Sequence, residues 1–238
     1  MSTVTKSKST VTKSKVKLPR VNLIETDGEP LESDWHRAAI AFLIEIVSWL
    51  FRERSDYHVG GNMFIYYSEE QARTRKYRGP DFFYVDGVKR LPQRPYWVVW
   101  REGGRYPDVI IELLSKKTEK TDRTTKKTLY ERTFRTHEYF CYDPRTQKLE
   151  GWRLGAGGRY LAIQPNEKGW LWSEKLGLWL GTWKGSYLVV ETVWLRYYDQ
   201  AGRLIRTEAE DYKQQLEALK SRTPDSQTKA KRRNHRQP

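Results

Sequence analysis

Glu112 interrupts the most apolar run of the chain, Val109-Ile110-Ile111-Glu112-Leu113-Leu114, which is otherwise β-branched or leucine. A strand of that composition lies inside a sheet covered on both sides. An ionisable group there costs several kcal/mol unless it is paired or binds a metal. Asp81, preceded by Pro80, stands at the mouth of a second strand expected over Phe82 to Val85. Two hard carboxylates on adjacent strand ends could share a divalent cation and leave positions open for water and phosphate. That is what Mg2+ or Mn2+ needs to promote phosphodiester hydrolysis. The plain alternative for Glu112 is a buried ion pair with an arginine.

Such a site also calls for a cation to stabilise charge developing on phosphorus. Leu114, two residues after Glu112, cannot supply it. The next segment, expected to be helical over Asp122 to Arg132, can: Asp122, Lys126 and Tyr130 recur at steps of four and share a face that Phe134 extends. Lys126 then lies on the semi-buried side, while Lys127 is rotated by roughly 100° toward solvent. A solvated Lys126 pairing with Asp122 at i,i+4 is the competing reading.

The elements that must position these groups can be read in order. Ser33 and Asp34 are N-cap residues for a helix in which His36, Ile40, Leu43, Val47 and Leu50 recur at steps of four and three, ending near Arg54. Tyr57 to Tyr67 reads as one strand with a bend at Gly60-Gly61-Asn62. Tyr96 to Arg101 reads as a short strand. After Val109 to Leu114 and its helix come strands at Tyr139 to Tyr142 and Leu149 to Arg153, around Asp143-Pro144. Strand, helix, strand in that order is a βαβ unit and points to an α/β fold. From Trp152 to Trp194 come six tryptophans on short strands punctuated by glycine. Thr207-Glu208-Ala209-Glu210 resembles a capping box and opens a last helix, with Ala209, Tyr212, Leu216 and Leu219 on one stripe expected to dock on the body or add to a homodimer contact.

Composition narrows the class. The 238 residues carry a net charge of +14, with 10 Trp, 15 Tyr and 7 Phe, enough for one substantial core. Residues 1–20 carry +6 and residues 220–238 another +6, so 21–219 holds only +2. The first stretch is a tandem repeat, STVTKSK at 2–8 and again at 9–15, too polar to fold on its own. The expected organisation is a basic tail over 1–20, a domain over 21–205, a helix over 206–222 and a basic tail over 223–238. One cysteine, Cys141, excludes an internal disulfide and suits a reducing compartment. The longest apolar run, Ala38 to Ile44, is far short of a membrane span, and the expected location is the cytoplasm.

The run Gly79-Pro80-Asp81, then Pro107-Asp108 leading to Glu112 and Ser115, then Asp122, Lys126 and Tyr130, then His137-Glu138-Tyr139-Phe140 with Asp143-Pro144, resembles the Uma-two family of the PD-(D/E)XK restriction-endonuclease-like superfamily. The resemblance covers about residues 30–200 and is most specific over 107–144. It implies a mixed central sheet flanked by helices, here with an extra β-rich C-terminal segment. It further implies a Mg2+- or Mn2+-dependent DNA endonuclease with Asp81 and Glu112 as the metal-binding acids and Lys126 as the displaced lysine. His36 stands where family members often carry a histidine and could approach the site, although a histidine on the apolar face of a helix is ordinarily a core residue. Two features depart from the family pattern: the basic loop KKTEKT at 116–121 and the tandem repeat. Two other readings compete with hydrolysis. One is a catalytically silent nucleic-acid-binding or scaffold protein on the same fold, and the other is a sugar-binding surface built from the tryptophans.

Overall fold

The structure is a computed structural model that describes Val21, Leu23 and residues 33–74, 79–91 and 93–222. Residues 1–20, with the tandem heptapeptide, and residues 223–238 lie outside the described residues.

Ser33 caps helix α1 (Asp34–Leu50) by accepting a hydrogen bond from the His36 amide at 3.1 Å. The periodicity then buries Ile40, Leu43 and Val47 together with Phe42 and Ile46. The stretch 57–67, expected as one bent strand, divides into β1 (Tyr57–Gly60) and β2 (Ile65–Tyr66), which join different sheets. The reason is a close approach at Gly61. A β-carbon there would stand 2.2 Å from the Asp81 carbonyl oxygen, and the next amide, Asn62, donates to the Pro80 carbonyl. Only glycine lets the chain turn against the segment that carries Asp81.

Helix α2 (Glu69–Arg73) precedes β3 (Phe82–Asp86). The expected strand over Tyr96 to Arg101 shrinks to β4 (Trp97–Val98), which pairs with β2 in parallel for two residues before the chain turns. Strand β5 (Val109–Leu113) is followed by one continuous helical segment, α3. It runs as α over Glu119–Thr121, π over Asp122–Lys126, α over Lys127–Leu129 and π over Tyr130–Phe134. Arg135, in the left-handed region at φ 56°, ends it.

Strands β6 (Glu138–Asp143), β7 (Lys148–Leu154) and β8 (Tyr160–Ala162) complete a six-stranded sheet of order β1-β3-β5-β6-β7-β8. Only β5 and β6 pair in parallel, joined by α3 as the expected βαβ unit; the rest are antiparallel. The sheet is mixed, and β5 lies in its interior, as its apolar sequence requires.

Alternation along β5 sorts the two layers. Val109, Ile111 and Leu113 face the cluster formed with α1, whereas Ile110 and Leu114 face the one formed with Tyr130 and Phe134 of α3. Glu112 has the parity of Ile110 and therefore points toward α3. Each apolar β5 side chain contributes about 1.5–3 kcal/mol on burial, which together offset the cost of carrying one acid.

The β-rich C-terminal segment forms a three-stranded antiparallel sheet of β9 (Leu171–Ser173), β10 (Leu178–Tyr187) and β11 (Val190–Tyr198), with its apolar residues in the α1 cluster. Its tryptophans pack within the protein: Trp194 is buried against Trp35, Trp183 meets Phe42, and Trp170 stacks on Tyr198 at 3.8 Å.

Helix α4 (Glu208–Arg222) begins with the expected capping box, the Thr207 amide donating to Glu210 at 2.9 Å and the Glu210 amide to Thr207 Oγ1 at 3.1 Å. Its first turn docks through Arg196–Glu210, and Tyr212 sets its ring against Trp49 at 5.7 Å, while Tyr212, Leu216 and Leu219 remain 55%, 53% and 60% exposed. No helix among the described residues is long and apolar enough to cross a membrane.

Candidate active site

Three elements bring the expected residues together. The β3–β5 register pairs Phe82 with Ile111, so one step further Asp81 falls opposite Glu112 at the sheet end. Glu112 is fully buried. From α3, Lys126 Nζ lies 3.0 Å from Glu112 Oε2 and 2.8 Å from Asp122 Oδ1. Both readings of Lys126 therefore hold at once: it pairs with Asp122 at i,i+4, and it does so while largely covered and in contact with Glu112. The expected arginine partner of Glu112 is replaced by this lysine.

The two π turns explain the alignment. In a regular α-helix a step of four advances about 40° past a full turn, so a row of such steps drifts round the axis. A π turn takes in an additional residue and winds the row back. Asp122, Tyr130 and Phe134 consequently remain buried on one side with Lys126 between them.

Each acid is held by donors. Asp81 accepts from His36 Nε2 at 2.8 Å on Oδ1 and from the Leu113 amide at 2.7 Å on Oδ2. His36, placed by the capped first turn of α1, is thus at the site and not simply a core residue. The Tyr130 hydroxyl donates to Glu112 Oε1 at 2.9 Å. The Tyr139 hydroxyl donates to the Asp122 carbonyl at 2.9 Å and fixes the helix over the sheet. Asp122 and Tyr130 were legible as a face in the sequence, but their contact with the acid depends on the π turns.

Electrostatically, Asp81, Glu112 and Asp122 share one ammonium. Burial pushes the Glu112 carboxyl well above the usual carboxylate range, with Lys126 pulling it down and the other two acids adding to the rise. Burial opposes the charge on Lys126, yet Glu112, Asp122 and Asp81 outweigh it and hold the ammonium charged. Cys141 pairs with Glu112 in the β5–β6 register, but burial pushes its thiol up and leaves it a poor nucleophile.

The donor chemistry fits a hard divalent cation. Glu112 Oε2 and Asp122 Oδ1 are buried, with the Lys126 ammonium as the partner of each. Asp81 accepts one bond on each oxygen and keeps lone pairs free. Oxygen donors of this kind suit Mg2+ or Mn2+. Elsewhere, His137, Glu138 and Glu174 bring ligand atoms within 4.8 Å of one another. Arg153 already bridges that group, at 2.9 Å from both Glu138 and Glu174, and Ser173 fills Glu138 Oε2, so it serves as a staple between β7 and β9.

No curated protein matches the chain. A crystal structure from Anabaena variabilis, described as "a putative nuclease belonging to DUF820", is similar at a TM-score of 0.45 and 12% identity, over 64% of this chain and 81% of that one. The Uma2 family model, described as "Putative restriction endonuclease", matches residues 16–190, and the chain belongs to that family.

Proposed function

We propose that the protein is a metal-dependent endonuclease that hydrolyses phosphodiester bonds of DNA at Asp81, Glu112 and Lys126. The observation that carries this reading is the meeting of a fully buried Glu112 with Lys126 from another element, opposite Asp81 at one sheet end. A buried cluster of three acids and one cation is a poor way to stabilise a fold, and clusters of this kind collect at functional sites.

Asp81 and Glu112 hold the cation. When bound, Mg2+ or Mn2+ supplies a water of lowered pKa and positive charge for the phosphoryl oxygens. Lys126, kept charged by its neighbours, stabilises the negative charge that grows on phosphorus. His36 and the Leu113 amide orient the two oxygens of Asp81, and Tyr130 orients Glu112.

Calorimetric titration with Mn2+ tests the metal site: the wild type binds, and Asp81→Asn and Glu112→Gln both lose binding. Incubation of supercoiled DNA with Mn2+ tests the chemistry, with Lys126→Ala expected to lose nicking. A wild type that binds no Mn2+, or equal nicking by all forms, rejects the assignment.

A further inference from the structure

The acid cluster poses a problem for a polyanionic substrate. The acids Asp81, Glu112 and Asp122 outnumber the one ammonium of Lys126 at the site, and the whole stretch 21–219 carries only +2. Phosphate contacts normally supply most of the affinity for DNA. Cations placed beside the cluster are needed to hold the backbone against it.

Residues 114–118, which join β5 to α3, and the first turn of α3 carry such cations. The segment leaves the site at Glu112 and returns to it at Asp122, with Lys126 bridging the two ends. A residue spans at most about 3.6 Å of extended chain, which keeps Lys116 within about 14 Å of Glu112 and Lys120 within about 7 Å of Asp122, backbone to backbone. Lys116, Lys117 and Lys120 are all exposed, and none forms an ion pair among the described residues.

The acids around them are already neutralised. Glu119 is held by Arg145 at 2.5 Å and by Arg123 at 3.5 Å. Asp143 is held by Arg145 at 2.9 Å, and Glu150 by Arg123 at 2.8 Å and Lys148 at 3.0 Å. Those three acids and three bases cancel. The three lysines therefore present uncompensated positive charge on the segment that joins Glu112 to Asp122.

We infer that Lys116, Lys117 and Lys120 form a clamp on the sugar–phosphate backbone of duplex DNA, gripping phosphates adjacent to the one presented to Asp81 and Glu112. The inference rests on the nuclease reading of that site. Lysine ammonium groups contact phosphate as point charges and carry no base readout, so the clamp fixes position without sequence preference.

Salt dependence of binding counts the contacts. Fluorescence anisotropy of a labelled duplex is followed in EDTA, so that no metal contributes, with the full chain and the variant Lys116→Ala/Lys117→Ala/Lys120→Ala. Each phosphate contact adds about 0.9 to the slope of log K against log salt, so the variant loses about 2.7 from that slope. A charge-matched control, Lys184→Ala/Lys213→Ala/Lys220→Ala, alters exposed lysines on β10 and α4 and keeps the wild-type slope. An unchanged slope in the first variant, or an equal loss in both, overturns the clamp. Mn2+ titration of the clamp variant shows unimpaired binding. A wild type that binds no Mn2+ but still loses slope in the clamp variant rejects the nuclease reading and leaves the clamp standing.

Discussion

Lys126 and Glu112 meet at 3.0 Å across two elements, a helix and the strand beneath it, and the lysine brings the only cation within ion-pair distance of the buried acid among the described residues. Removing the charge with Lys126→Met leaves Glu112 and Asp122 buried without a counterion. Breaking a buried pair from one side costs about 3–5 kcal/mol, whereas a surface pair is worth about 1 kcal/mol or less. Urea denaturation at neutral pH is expected to show the larger loss. A loss under about 1 kcal/mol would show that the pair acts as a surface contact.

Glu112→Gln is expected to behave in the opposite way. The amide keeps an oxygen for the Tyr130 hydroxyl and removes a charge that burial disfavours, while Lys126 retains Asp122. Thermal stability is unchanged or higher even though Mn2+ binding is lost, the pattern of a group retained for chemistry at the expense of stability. A destabilisation above about 2 kcal/mol would identify the carboxylate as a structural ion-pair partner.

Gly61→Ala tests how the site is held from outside. The new β-carbon would meet the Asp81 carbonyl at 2.2 Å and Ile40 Cγ2 at 2.8 Å, and backbone cannot yield as a side-chain tip can. The substitution displaces the start of β3 and costs about 1–3 kcal/mol as an overpacked contact. Mn2+ affinity falls with it, because Asp81 moves relative to Glu112. An alanine variant with wild-type stability and affinity would exclude the close approach.

These outcomes separate what was legible in the sequence from what was not. Glu112 announced itself because five apolar neighbours fix the environment of a strand locally, and the steps of four from Asp122 to Phe134 placed Lys126 on the covered face. The π turns left no local signal, since the same residues satisfy a regular helical pattern. Gly60-Gly61 gave away a bend but not that two sheets divide there, which depends on contact with Asp81 some twenty residues later. His36 and Asp81 lie 45 positions apart, and no spacing rule links them. The last helix shows the limit of periodicity: its apolar stripe is regular, yet it lies exposed.

The turn between β10 and β11 offers a gain in stability. Leu188 and Val189 adopt φ 47° and 61°, a conformation that branched residues resist, and Val189 is fully exposed, so no burial compensates it. Two-residue hairpin turns with positive φ at both positions favour Asn-Gly. Relieving left-handed strain recovers about 1–2 kcal/mol per residue, about 2–4 kcal/mol for the pair, so Leu188→Asn/Val189→Gly is expected to raise Tm by roughly 4–16 °C. An unchanged or lowered Tm would show that the turn is not strained.

His58 sets a dependence on pH away from the acid cluster. Its ring lies against Trp97 and Phe83, with Arg94 Nη1 at 3.3 Å from Nδ1, and Arg94 is itself fixed by Glu102. Burial, and after it the adjacent guanidinium, lower the imidazole to about 4. The unfolded chain, with a histidine pKa near 6.5, takes up a proton first as pH falls, and that favours unfolding. The contribution of neutral His58 is therefore complete above about pH 6.5, declines between about 6.5 and 4, and amounts to roughly 3 kcal/mol across that window. His58→Gln cannot titrate there and should show a flatter decline of stability than the wild type in urea denaturation from pH 7 to 4. Parallel curves for the two proteins would mean that His58 protonates freely in the folded state.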